Sequence, residues 1–145
     1  MLQTNYKRSS YFNNKIQTWD YYFTQESLIN FQKEIESLTF RNGETDTPDT
    51  PPSGSVCDNI VHTELYKSLR NFVLNHIQQL ETYHLTRSYI NKFEKAESGY
   101  YHQDDCDKTL LFYPNHDWEF DEGGETKFIF QSTDFPLNII TDLKN

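Results

Sequence analysis

His102 and Asp104 stand two positions apart in the stretch GYYHQDDCDKTLLFYPNHDWEFDEGGETKFIF, residues 99 to 130. Alternate residues of an extended strand project from the same face, so this spacing predicts an imidazole and a carboxylate turned into one space. Such a pair is two thirds of the two-histidine, one-carboxylate set that holds non-haem iron(II) and leaves positions open for substrates. A bare His-x-Asp is common by chance, and its meaning depends on what surrounds it.

Five residues after Asp104 begins the run 109 to 115, Thr-Leu-Leu-Phe-Tyr-Pro-Asn. It is a β-leaning apolar segment closed by a Pro-Asn turn signal. Trp118 follows, then Gly-Gly-Glu-Thr at 123 to 126, leading into Lys-Phe-Ile-Phe. This order resembles the first half of the catalytic core of the 2-oxoglutarate- and iron(II)-dependent dioxygenases, in their prolyl 4-hydroxylase-like branch. The likeness covers roughly residues 86 to 131 and lies in the combined spacing rather than in one piece.

The resemblance implies roles position by position. His102 and Asp104 fall on the family's first histidine and its carboxylate metal ligand. Tyr113 falls where the family places a tyrosine whose hydroxyl contacts 2-oxoglutarate, and Leu111 would line the same pocket. Asn115, Trp118, Gly123 and Gly124 match positions that look structural: a turn, a core anchor and a tight strand entry. The implied cofactors are iron(II) and 2-oxoglutarate as cosubstrate, with ascorbate as a further candidate.

The chain also departs from the family. The second iron histidine and the basic residue that pairs with the distal carboxylate of 2-oxoglutarate lie well downstream of the first histidine, whereas no histidine follows His116 before Asn145. Phe93 stands near where many relatives carry a second hydroxyl-bearing tyrosine. The expectation is a single dioxygenase-like domain over residues 1 to 145, truncated before the second iron histidine.

The elements that must position this stretch come earlier. Residues 16 to 23 are rich in aromatic side chains and suggest a first strand. Thr24 then caps a predicted helix in which Leu28, Phe31, Ile35 and Leu38 recur at three- and four-residue steps. Residues 42 to 59 hold three Pro and two Gly among acids, Ser and Thr, which predicts a long exposed loop or a locally disordered insertion, either a segment over the mouth of the site or an inert surface insertion. A second helix is expected from about Thr63 to Leu80, on a stripe of Val61, Leu65, Leu69, Phe72, Val73, Ile77 and Leu80. From Tyr83 the pattern turns to β, and residues 137 to 142 read as one more strand.

Helices followed by strands make an α+β chain. The resemblance specifies a double-stranded β-helix, or jelly roll, with the N-terminal helices on one face and the C-terminal part incomplete. Cutting such a roll leaves edges unpaired, so an oligomeric or poorly soluble chain is expected.

Charge and composition narrow the function further. The net charge of -9 repels a nucleic-acid backbone, and no Lys/Arg cluster offers an exception. No apolar run is long enough to cross a bilayer, and no signal-peptide core follows the N-terminus, so a cytoplasmic location without membrane contact is expected. Cys57 and Cys106 lack zinc spacing and read as free thiols in a reducing compartment.

Other histidines and acids carry weaker signals. His62, His76 and His84 have no second ligand at helical spacing and read as ordinary histidines. Asp104, Asp105 and Asp107 do not supply the glycine and glutamate of a calcium loop in either register. His116 is a candidate third ligand, but the intervening turn carries it toward the opposite end of the strand pair.

The resulting expectation is an oxidoreductase hydroxylating a C-H bond of a peptide or a small molecule. Its rival is an incomplete, non-catalytic oxygenase-like domain acting as a binding or interaction module. A further alternative is a jelly-roll module for sugar or peptide, in which His102 and Asp104 are structural hydrogen-bonding residues.

Overall fold

The computed structural model describes residues 6–11, 14–78, 82–115, 117, 126–131 and 138–143. They form a mixed α+β chain of small antiparallel sheets and two α-helices. It divides into two compact units, residues 1–114 and 115–145.

The first unit opens with an antiparallel hairpin of β1 (Lys7–Tyr11) and β2 (Ile16–Asp20), in register from Lys7 opposite Asp20 to Tyr11 opposite Ile16. Helix α1 (Gln25–Glu36) starts where expected: the Thr24 hydroxyl accepts from the Ser27 amide at 3.2 Å, the bond expected of an N-cap. Its apolar stripe faces inward, with Phe31 buried and Leu28 and Ile35 packed beside it.

Helix α2 (Glu64–His76) follows a single 3-10 turn, Ile60–His62. Thr63, only 2% exposed, accepts from the Tyr66 amide at 3.0 Å and donates to the Ile60 carbonyl at 2.7 Å. The helix stops short of the expected Leu80: at Ile77 the backbone turns extended, and Leu80 lies outside the described residues.

The two helices close on a core of Tyr22, Phe23, Phe31, Leu65 and Phe72, with Trp19, Leu69, Val73, Ile90 and Phe112 against it. The rings meet edge to face, Tyr22 on Phe72 at 4.8 Å and Phe23 on Phe31 at 5.3 Å, the arrangement that ring quadrupoles favour. His76 belongs to this cluster. Its ring lies 5.0 Å from that of Phe72, and its Nε2 is 3.1 Å from the Tyr22 hydroxyl, so it is a packed structural histidine.

A three-stranded sheet completes the unit, in the order β3 (Arg41–Asn42), β4 (Ser55–Asp58), β5 (Tyr89–Lys92), all antiparallel. This corrects the reading of 42 to 59 as one exposed loop. Residues 55–58 are the central strand, with Val56 and Cys57 buried. The Pro-rich composition misled because it averages over an excursion and a strand. The excursion itself is tied by Gly43 N–H to the Gly54 carbonyl (2.9 Å), Ser53 to Glu44 (3.3 Å) and Thr50 to Thr47 (3.1 Å).

A second correction concerns the His-x-Asp segment. Residues 98–115 lie in no strand, and residues 105–107 bend. Asp is poorly suited to a ladder, and the three in this segment favour local turns. Strand character upstream is likewise shorter than expected, since His84 precedes β5 by several irregular residues.

The second unit contains the hairpin β6 (Thr126–Gln131) with β7 (Asn138–Leu143), paired from Thr126 opposite Leu143 to Gln131 opposite Asn138. Both strands were expected from sequence. His116, Trp118, Gly123 and Gly124 lie outside the described residues.

Candidate functional site

His102 and Asp104 meet without a strand. Their segment leaves β5 through a turn closed by Glu97 N–H to the Glu94 carbonyl at 3.0 Å. It then crosses the excursion between β3 and β4, where the Tyr100 amide donates to Asp46 Oδ2 at 2.5 Å. A side-chain carbon at position 99 would stand 3.4 Å from that same oxygen, an ordinary contact.

His102 Nδ1 is 2.9 Å from the Tyr100 carbonyl oxygen. A carbonyl only accepts, so Nδ1 carries the proton in this bond. Nε2 then faces Asp104 Oδ1 at 3.5 Å. In a neutral ring this sets a lone pair against a carboxylate oxygen. A positive charge between them relieves the opposition, either a proton on Nε2 or a metal ion.

The other Asp104 oxygen, Oδ2, accepts from the Thr109 hydroxyl at 2.5 Å. Thr109 Oγ1 also lies 3.3 Å from Cys106 Sγ. The pair is open to solvent, with side chains 40% and 41% exposed.

These distances allow a test of metal fit. Two donors each about 2.1 Å from a metal stand about 3.0 Å apart at a right angle and about 3.4 Å apart at a tetrahedral angle. The 3.5 Å separation is within half an ångström of either, so His102 and Asp104 fit two coordination positions. Asp46 does not join them: its Oδ1 lies 3.6 Å from Nδ1, on the other side of the ring. Among the described residues no group of three His, Cys, Asp or Glu is placed to hold a metal ion.

Beyond the pair, Phe112 packs edge to face on Phe23 at 5.4 Å and on Phe31 at 6.1 Å. Leu111 and Tyr113, its neighbours, are exposed. The segment therefore alternates like an extended chain, with Phe112 inward and the two expected pocket residues outward. A cleft of about 480 Å³ in this unit lies between α1 and α2, lined by Asn30, Glu34, Asn71 and Asn75 among others; His102, Asp104, Leu111 and Tyr113 are not part of its lining.

A ring of four charges flanks the site. Arg41 pairs with Asp58 and, at 2.6 Å, with Glu44; Arg87 pairs with Glu44 and Asp58, each at 2.7 Å. Hydrogen bonds from Arg87 and Arg41 hold the Glu44 and Asp58 carboxyls below their ordinary values. The Arg87 guanidinium also lies 4.2 Å from the centre of the Tyr89 ring. Burial lifts the Tyr89 hydroxyl above its ordinary value, and the charge of Asp104 adds to that shift.

Three participants, Asp46, Tyr100 and Thr109, carry no sequence signal of their own. Asp46 sits among prolines, where composition signals only exposure. Thr109 opens the apolar run, and only its bond to Asp104 distinguishes it. No family model, no curated protein and no solved structure matches this chain.

Proposed function

We propose that this chain carries part of the catalytic core of an iron(II)- and 2-oxoglutarate-dependent oxygenase that hydroxylates a C-H bond of a peptide or a small molecule. The observation that carries the reading is the approach of His102 Nε2 to Asp104 Oδ1, 3.5 Å apart, with the far atom of each side chain already hydrogen-bonded. Metal-binding histidines are commonly held this way, by a carbonyl on the second nitrogen.

In this reading His102 and Asp104 would supply two of the metal's ligands. Bound iron supplies, with 2-oxoglutarate and O2, the oxidation of an unactivated C-H bond. The Tyr100 carbonyl keeps the His102 proton on Nδ1. Thr109 leaves Asp104 one oxygen for the metal. Tyr113 would offer a hydroxyl to the 2-oxoglutarate carboxylate, and Leu111 would line the same pocket. The finer architecture that goes with it is a double-stranded β-helix.

The test is an anaerobic titration of the whole chain with Fe(II) or Mn(II), with succinate formation from 2-oxoglutarate as a second readout. The reading expects saturable binding that weakens at least tenfold in His102→Ala and Asp104→Ala. Equal binding by the wild type and both variants overturns it.

The exposure of both side chains favours a second reading, a non-catalytic oxygenase-like module. That reading expects weak metal binding and no succinate.

A further inference from the structure

We infer that Asp46 and Thr109 are positioning residues for the His102–Asp104 pair, Asp46 by selecting the His102 tautomer and Thr109 by selecting the Asp104 oxygen that is presented. The inference rests on the metal-binding reading above.

Asp46 belongs to the excursion between β3 and β4, far in sequence from the pair it meets. Its Oδ2 accepts from the Tyr100 amide at 2.5 Å, and the carbonyl of that residue accepts from His102 Nδ1 at 2.9 Å. Asp46 thus fixes the backbone whose carbonyl fixes the ring. Its Oδ1, 3.6 Å from Nδ1, adds a negative charge beside the Nδ1 proton. Asp104 Oδ1, 3.5 Å from Nε2, draws the proton the other way; the charge of Asp46 offsets that pull, and the Tyr100 carbonyl then holds the proton on Nδ1, leaving the Nε2 lone pair toward Asp104. The opposite tautomer would put a hydrogen on the nitrogen that a metal needs.

Thr109 acts on the other partner. Its hydroxyl donates to Asp104 Oδ2 at 2.5 Å, which favours the carboxylate orientation seen here. Oδ1 is left facing Nε2. Outer hydrogen bonds of this kind typically change metal affinity by about 10–100-fold.

The experiment uses the whole chain with ¹⁵N-labelled histidine at alkaline pH, where imidazoles are neutral. The His102 signals are assigned by their loss in His102→Ala, and Mn(II) affinity is measured on the same samples. The wild type is expected to show the Nδ1–H tautomer. Asp46→Ala and Asp46→Asn should move His102 toward the Nε2–H tautomer and weaken Mn(II) binding by about tenfold or more. Asp46→Asn keeps an acceptor for Tyr100, so it tests the charge if the alanine variant misfolds.

Thr109→Val should weaken Mn(II) binding by a similar factor without moving the tautomer, and Thr109→Ser should restore it. An unchanged tautomer in both Asp46 variants overturns the role of Asp46. Full affinity in Thr109→Val overturns that of Thr109. If affinity falls in His102→Ala but in neither set of variants, the positioning inference fails while the metal reading stands. If the wild type binds no Mn(II), the metal reading fails and the inference with it.

Discussion

Glu34, in helix α1, places one carboxylate oxygen 2.9 Å from the backbone amide of Leu65 in helix α2. Its other oxygen accepts from the Glu64 amide at 2.8 Å. The first amides of a helix have no partner within it, and the aligned peptide dipoles make that end positive. One side chain therefore satisfies two donors and a partial charge while joining the two helices that enclose the core. Glu34→Ala is expected to cost about 1–2 kcal/mol, the range of a helix cap plus a dipole interaction. Glu34→Gln, which keeps one acceptor and loses the charge, should cost less. Urea denaturation of both variants checks the order.

The Arg41, Glu44, Asp58 and Arg87 ring gives a pH dependence of known sign. The two carboxyls have folded-state values below their ordinary 4.5 and 3.8. A depressed carboxyl contributes stability above its unfolded value and loses it as pH falls toward the folded one. Stability should therefore decline as the pH drops below about 4.5, and Arg87→Ala should flatten that decline. All four side chains are well exposed, so the contribution is modest and shrinks in high salt. Denaturation midpoints from pH 3 to 6, at low and high salt, measure both effects.

Val56 is 2% exposed in the central strand β4. Val56→Ala should lose about 1–3 kcal/mol through lost burial and a residual cavity. Gly54, at φ +63, is constrained differently. A side-chain carbon there would lie 2.6 Å from the Lys92 carbonyl oxygen. Gly54→Ala should therefore destabilise by at least as much, through backbone strain and not cavity formation. Thermal melts of the two variants test whether this end of the sheet is a built element.

How far sequence reached is clearest at these positions. Both helices were legible because Thr24 and Thr63 are cap residues followed by apolar positions at helical spacing, which local physics alone determines. Strand β4 was not, since Val56 and Cys57 sit only two and three residues past Gly54 in a Pro-rich stretch. Their burial comes from pairing with β5, more than thirty residues later. The His102 and Asp104 pair was found for a geometric reason that the structure replaces: the two side chains meet across bends, not along a strand. Glu34 on Leu65, and Asp46 on Tyr100, are long-range bonds from ordinary-looking acids, and nothing in their neighbours marks them.

Burial also separates the cysteines. Cys57 is buried in β4 and Cys106 is exposed. A thiol reagent should modify Cys106 promptly and Cys57 only when the sheet opens. Titration with and without denaturant should count one fast thiol in the folded chain and two in the unfolded one. Rapid reaction of both would show that β4 is not covered.

Phe112 links the candidate site to the core, because its ring meets Phe23 and Phe31 while Leu111 and Tyr113 on either side face outward. The outward direction of Tyr113 thus depends on the inward anchoring of its neighbour. Phe112→Ala removes two edge-to-face contacts, each worth about 0.5–1.5 kcal/mol beyond the area lost. A total loss of about 2–4 kcal/mol is expected, less than for a fully buried ring. Phe112→Leu, which keeps most of the volume, should recover over half of it. The effect on the site is expected to be local: amide exchange over residues 109–114 should accelerate more than exchange in α1 or α2. Uniform acceleration across the unit would mean that Phe112 serves the core alone and does not fix the segment that carries Tyr113.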